Sequence, residues 1–378
     1  MKLTLQVKLL PTDEQSRLLA ATQQQYSQLC NYLSILVHQT HVTNPHSMYY
    51  QFNRDLRFTF DKLPAAMHTC ARAKVAGAYR SRITTARRKK RSTSFKEHCA
   101  FKPSISVDYS KLLYSVCQFE SVKSISDRCY TAVLSIATIS GRQKIQALLS
   151  KTLVDRRPGV WKQASLNYRK STKEWYFHIV YDVKEPEVQP HTNYLGVDLG
   201  ITNIASTSDG TIYTGKSVDD KRLKYYSHVR RLQKQGTRSS RRRLRSINRQ
   251  MSYFIRTLNH TIAKLIVQTA QRTESCIVLE ELKYIFDKLK ARKSGRLRMF
   301  GWSFAQLRDF ITYKARLASI LVKTVDPRYT SQTCPVCGHV ARNNRKGEKF
   351  KCRLCNHTAH ADTNGGVNIA RLGGLACY

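Results

Sequence analysis

Tyr194-Leu195-Gly196-Val197-Asp198-Leu199-Gly200-Ile201 places one acid inside an apolar, strand-like run. Two later stretches do the same: Cys276-Ile277-Val278-Leu279-Glu280-Glu281-Leu282, and the run from His360 to Ala370 that carries Asp362. The chain is otherwise short of acid, with 25 Asp and Glu against 65 Lys and Arg, a formal charge of +40 over 378 residues. A carboxylate in an apolar strand opposes β propensity and the cost of burying a charge. A partner usually explains such a placement, and three carboxylates converging from distant segments suit hydrated Mg²⁺. A basic chain with a metal-binding acidic centre points to phosphodiester chemistry on nucleic acid.

Around Asp198, residues 194–214 read as a three-stranded meander with a turn at Gly200 and a hairpin at Asp209-Gly210. Residues 220–272 read as long helices rich in arginine, including Arg238, Arg241, Arg242, Arg243 and Arg245. A buried strand ends at Glu280, a basic loop spans 288–298, and an amphipathic helix covers 303–322. This succession is the pattern of a ribonuclease-H-like α/β fold. There the first acid projects from the first strand, the second from the end of a later parallel strand, and the third from a C-terminal helix. Singly, Asp198 reads as a turn former, Glu280 as an edge acid and Asp362 as an N-cap. Together, in that order, they read as a centre for two divalent ions that activate water and stabilise a leaving oxygen. Alternation sets Glu280 and Glu281 on opposite strand faces, and the residues alone leave the choice between them open.

Cys334-x2-Cys337 and Cys352-x2-Cys355, fourteen residues apart, form a zinc-ribbon pattern. Four soft thiolates at this spacing favour one tetrahedral, structural Zn²⁺. His357 and His360 follow the second knuckle and read as polar surface. The chain's eleven cysteines are an odd number, and the other seven (Cys30, Cys70, Cys99, Cys117, Cys129, Cys276 and Cys377) read as small buried or incidental residues. Reduced thiols with one metal site fit a cytoplasmic protein better than a disulfide framework does.

The first half differs in character. Residues 2–9 alternate as a strand, and Thr12 with Gln15 forms a capping box opening a helix towards residue 40. A second helix is expected from Pro64 to about Arg91, a linker over 92–104, and a strand-rich stretch over 105–183. Its clearest hairpin pairs ASLNYRKS with WYFHIVYDV. The pattern predicts a small β-barrel carrying a helical insertion, and so an α+β multidomain chain. Pro186 and Pro190 mark the boundary to the second half. Tyr50, Lys74, Arg80, Arg82, Arg242 and Arg243 are the candidate nucleic-acid contacts, each with a plainer reading as core aromatic or solvated charge. No apolar run is long enough to cross a membrane, and the opening MKLTLQVKLLPTDEQ has no apolar signal core.

Taken together, GVDLGI, VLEEL, WSFAQLRDFITYKA leading to VDPRYTSQTCPVCG, CRLC and ADTNGGVNIA resemble the TnpB family of transposon-encoded, RNA-guided DNA endonucleases, relatives of type V CRISPR effectors. The motifs run in order through residues 194–378, while the first half resembles the family mainly in layout. The resemblance implies a β-barrel wedge-like domain at 1–10 and 105–190 and a helical recognition domain at 11–104. It implies a RuvC-like nuclease domain at 191–378 with a zinc ribbon inserted at 330–358. It assigns Asp198, Glu280 and Asp362 as Mg²⁺-binding catalytic carboxylates, and Cys334, Cys337, Cys352 and Cys355 to zinc. It further implies a guide RNA and double-stranded target DNA as partners, a short target-adjacent motif, and action in the prokaryotic cytosol or nucleoid. The last motif departs from the family's common D-x-N-A-A, since Gly365 and Gly366 follow Asn364; two glycines near a helix start are expected to loosen it. Two other functions fit the same chain: a guide-directed DNA-binding regulator without cleavage, and a RuvC-like nuclease that needs no guide. The intact set of carboxylates favours cutting.

Overall fold

The computed structural model describes residues 1–90, 97–120, 129–150, 161–188, 191–200, 202–281 and 304–375. The chain divides into two compact units, Met1–Lys184 and Glu185–Tyr378, each with its own apolar core.

The first unit opens with β1 (Lys2–Leu10), which turns Leu5, Val7 and Leu9 inward by alternation. The capping box is formed: the Gln15 N–H donates to Thr12 Oγ1 at 3.2 Å and the Thr12 N–H to Gln15 Oε1 at 3.1 Å. It starts α1 (Asp13–Thr40), followed by α2 (Pro45–Thr59) and α3 (Ala65–Arg88). The expected linker is no free tether over its described part. Asn31 exchanges hydrogen bonds with the Phe101 backbone at 2.9 and 2.7 Å, and the Gln23 amide donates to the Ile105 carbonyl at 2.7 Å.

Six strands follow: β2 (Val107–Tyr109), β3 (Tyr114–Glu120), β4 (Cys129–Thr138), β5 (Gly141–Ser150), β6 (Trp161–Arg169) and β7 (Glu174–Asp182). The seven form one antiparallel sheet in the order β2-β6-β7-β1-β5-β4-β3. The sheet curls towards closure. The Tyr109 hydroxyl on β2 donates to the Ala137 carbonyl on β4 at 3.0 Å, and Tyr109 and Tyr114 both pack on Phe177 with ring centroids 5.3 Å apart. Near-closure leaves few unpaired edge groups.

The second unit is built on β8 (Asn193–Asp198), β9 (Asn203–Thr207), β10 (Ile212–Thr214), α4 (Lys216–Gln235), α5 (Arg238–Arg272), β11 (Ser275–Glu280), α6 (Phe304–Leu317) and β12 (Val322–Val325). Its sheet runs β10-β9-β8-β11-β12, with β9 antiparallel to β8 and β11 parallel to both β8 and β12. A small antiparallel sheet of β13 (Arg345–Lys346), β14 (Lys349–Lys351) and β15 (Thr358–His360) then leads into α7 (Ala361–Leu375). The basic loop expected at 288–298 lies outside the described residues.

Alternation gives the main sheet two dressed faces. Leu195, Val197, Ile277 and Leu279 share a core with Ile262 and Ile266 of α5 and Ile311 of α6. Val278 packs instead with Ile369 of α7. Glycine lets that helix approach: a Cβ on Gly196 would lie 2.0 Å from the Gly366 carbonyl oxygen, and one on Gly373 would lie 2.3 Å from Val278 Cγ2. Gly365 and Gly366, expected from propensity to loosen the element, have a packing use here. The helix runs unbroken through both, and both are buried, because their missing side chains are what bring α7 down onto the strands.

Candidate functional site

The three acids stand at element ends on the face that α7 covers. Asp198 closes β8 two residues after Gly196, Glu280 closes β11 two residues after Val278, and Asp362 lies in the first turn of α7. Glu280 and Asp362 are buried and Asp198 is half-buried. Specific donors hold two of the three carboxyls. Thr330 Oγ1 donates to Glu280 Oε1 at 2.6 Å, Asn203 Nδ2 to Asp362 Oδ2 at 2.9 Å, and Arg345 Nη2 to Asp362 Oδ1 at 2.8 Å. Asn368 Nδ2 donates to the carbonyls of Thr330 and Thr333 at 2.8 and 2.7 Å, fastening the turn before the ribbon to α7.

Asp198 feels its surroundings most. Burial, then the charges of Glu280 and Asp362, push the Asp198 carboxyl up to about 7 against the pull of Arg345. Burial also raises Glu280, opposed by the Thr330 hydrogen bond. A Cβ on Gly365 would sit 2.8 Å from Asp198 Oδ2, so the glycine keeps room beside that oxygen. Glu281 turns away and accepts from Arg308 Nη1 at 2.9 Å. A carboxyl whose ionisation is opposed first by burial and then by two other carboxyls is an arrangement that a divalent cation would relieve, so the residues fit Mg²⁺.

The cysteines form a tighter group. Among the described residues, Cys334, Cys337, Cys352 and Cys355 are the one His, Cys, Asp and Glu set whose ligand atoms all lie within 4.8 Å of one another. The three carboxylates are thus more widely spaced than the thiols. The Leu354 and Cys355 N–H groups donate to Cys352 Sγ at 3.4 and 3.5 Å. Burial raises the Cys352 thiol, but these N–H groups and the neighbouring Cys337 outweigh it and hold it at about 6. The His357 N–H favours a Cys355 thiolate, yet burial and the other three sulfurs push Cys355 up to about 12. Four sulfurs that cannot all ionise without a cation suit a structural zinc.

The nucleic-acid candidates separate. Tyr50 is 73% exposed. Arg80 is exposed and lines a groove of about 430 Å³ along α3 with Gly77, Ser81, Thr84, Thr85 and Arg88. Arg242 and Arg243 are exposed on α5. Lys74 and Arg82 are engaged inside the first unit instead: Lys74 pairs with Asp108 at 2.8 Å, and Arg82 donates to the Glu97 carbonyl at 2.9 Å. Sequence reasoning missed Asn203, Thr330 and Arg345. Thr330 carries a faint signal as part of the run before the first knuckle, whereas Arg345 reaches Asp362 only through the pairing of the ribbon strands.

Comparison with known proteins gives first a class. Residues 178–284 match the "Probable transposase" family model, and residues 304–369 match the "Cas12f1-like, TNB domain" model. The chain is thus similar to TnpB-like and Cas12f1-like proteins in both halves of its second unit. It is 28% identical over 284 residues to a CRISPR-associated endodeoxyribonuclease Cas12f1 of Sulfoacidibacillus thermotolerans, covering 66% of each chain. It is 31% identical over 245 residues to the putative RNA-guided DNA endonuclease InsQ of Escherichia coli K12, covering 58% of this chain and 59% of that protein. A TnpB-like protein of Methanocaldococcus jannaschii is 32% identical over 112 residues, 29% of this chain and 40% of the relative. The matches thus span two thirds or less of these curated relatives. In fold, the chain is similar to Cas12f1 in its complex with single-guide RNA and target DNA (TM-score 0.60, 16% identity, 95% of this chain and 83% of that one). It is similar also to the mini-RNA-guided endonuclease Cas-phi3 (TM-score 0.60, 10% identity, 100% and 93%). Among the described residues, no helix is long and apolar enough to cross a membrane.

Proposed function

We propose that the protein is an RNA-guided DNA endonuclease that hydrolyses phosphodiester bonds at one RuvC-like site. The observation that carries this reading is geometric: Asp198, Glu280 and Asp362 come from three separate elements to one face of the second unit. The sheet order β10-β9-β8-β11-β12, with its acid-tipped parallel strands and acid-bearing last helix, supports an RNase-H-like fold. In this reading residues 191–378 are the nuclease domain and 330–358 its zinc ribbon. Residues 1–10 and 105–190 are the wedge-like barrel, and 11–104 the recognition helices. The protein takes a guide RNA and double-stranded target DNA, and it acts in the cytosol or nucleoid of a prokaryote.

Asp198, Glu280 and Asp362 would hold Mg²⁺, which when bound supplies an activated water and charge stabilisation for the leaving oxygen. The chain's own groups prepare that place. Thr330 fixes the Glu280 carboxylate, Asn203 and Arg345 hold Asp362, and Gly365 leaves space beside Asp198. The pairing of Glu281 with Arg308 supports Glu280 as the second acid. Exposed cations such as Arg80, Arg242 and Arg243 suit phosphate contacts, which position a nucleic acid without reading its sequence. Sequencing the RNA that co-purifies with the protein, and assaying cleavage before and after its removal, tests the reading. A discrete RNA that cutting requires is expected. Undiminished cutting without RNA would favour a guide-independent nuclease, and target binding without any cutting a regulator.

A further inference from the structure

Tyr329 adopts a backbone conformation that its side chain disfavours. Its φ is 61°, in the left-handed region, where a bulky residue is strained and glycine or asparagine is at ease. Other described non-glycine residues at positive φ are small or polar and close helices or turns, as His41, Glu274, Ser319 and Asn356 do. Tyr329 does not obtain burial in return, since 62% of it is exposed. Strain that a chain retains without a packing gain is a reason to look for function.

The setting says which function. Residue 330, next in the chain, is the threonine whose hydroxyl holds Glu280. The Tyr329 carbonyl accepts from the N–H groups of Gln332 and Thr333 at 2.9 and 3.0 Å and from the Thr333 hydroxyl at 2.8 Å. The same turn is fastened to α7 by Asn364 and Asn368, which donate to the Thr333 carbonyl at 3.0 and 2.7 Å. An open aromatic ring is thus mounted on a rigid turn that also orients one of the three acids and is tied to the helix bearing another. The ring has a flat face for a base, and every base offers a matching one.

We propose that Tyr329 is a stacking platform for a base of single-stranded DNA next to the phosphodiester cut at the acidic centre. The inference rests on the nuclease reading and adds a substrate-binding residue to it. A platform of this kind serves a nuclease of broad sequence tolerance, because stacking selects an unpaired base without selecting its identity.

Two measurements on the full chain test it. In the first, KM and kcat are compared for cleavage of single-stranded DNA matched to the co-purified RNA, with the protein loaded with that RNA, in Mg²⁺. Tyr329→Ala is expected to raise KM about tenfold or more, with a smaller change in kcat, and Tyr329→Phe to restore the wild-type KM. Tyr329→Gly should show the same rise in KM without a lower melting temperature, because it relieves the strained φ; a merely structural tyrosine would lower it. In the second, Tyr329→Trp is titrated with oligothymidylate without added magnesium. Quenching beyond that of the three native tryptophans is expected. An unchanged KM in Tyr329→Ala, a loss of melting temperature in Tyr329→Gly, or absence of the added quenching would each overturn the proposal. Failure of the wild-type protein to cut would instead sink the nuclease reading, while the quenching still reports on stacking.

Discussion

Replacing Asp198 by Asn removes a half-buried charge without changing shape, and the structure sets the size and sign of the result. The ordinary carboxyl value is 3.8, and in the folded unit it is about 7. A group whose value is raised by folding stabilises fully below its unfolded value, and that stability is lost as pH rises through the folded value. Wild type, free of divalent ions, should therefore lose stability between about pH 4 and pH 7 on account of this group, and no more above pH 7. The full shift corresponds to about 4 kcal/mol. Solvent reaching a half-buried carboxylate trims this to roughly 2–4 kcal/mol. For a unit of this size that is on the order of 10 °C in melting temperature. Unfolding of the second unit, followed by calorimetry without added divalent ions, should find Asp198→Asn more stable than wild type at pH 8 and equal to it near pH 4. Adding Mg²⁺ at pH 8 should stabilise wild type and leave the variant unmoved. A variant less stable than wild type at pH 8, or a difference that ignores pH, would refute the reasoning.

Other expectations follow from neighbouring contacts. Gly365→Ala should cut cleavage at least about tenfold while holding or raising the melting temperature. Its Cβ meets only the movable end of Asp198, at 2.8 Å, and alanine gains helix propensity of about 1 kcal/mol; an undiminished rate would show that the space is not needed. Gly196→Ala should prevent the second unit from folding, since its Cβ would lie 2.0 Å from a backbone oxygen, and soluble, cooperatively melting protein would contradict this. Glu281→Gln, which loses the charge pairing with Arg308, should keep cleavage within about threefold, whereas Glu280→Gln abolishes it. Metal analysis should find one zinc per chain, and Cys352→Ala should lose it along with the ribbon's ordered amide signals.

Many strands and helices were legible because their signals are local. The meander at 194–214, the buried strand ending at Glu280 and the capping box at Thr12 each depend on neighbours in sequence. The choice between Glu280 and Glu281 was open to alternation alone. It becomes decidable once Gly196 is recognised as the point where a helix meets the sheet. Asp198 shares the face of Gly196, and Glu280 that of Val278, which packs on the same helix. The two glycines after Asn364 misled for a related reason: propensity prices a glycine in an isolated helix, not one pressed against a strand. The partners of Lys74, Arg82 and Asp362 were hidden because they come from segments whose approach depends on tertiary packing. A basic residue facing solvent and one facing a carboxylate look alike in sequence.

The central claim is that three distant carboxylates form one cutting centre directed by RNA. It is tested most directly by loading the protein with its co-purified RNA and supplying DNA that matches that RNA, in Mg²⁺. Wild type is compared with Asp198→Ala, Glu280→Ala and Asp362→Ala, each checked for RNA binding. Cleavage of matched DNA is expected only from wild type, with all three variants inactive yet still RNA-bound. Cleavage that survives in any one of them would contradict it.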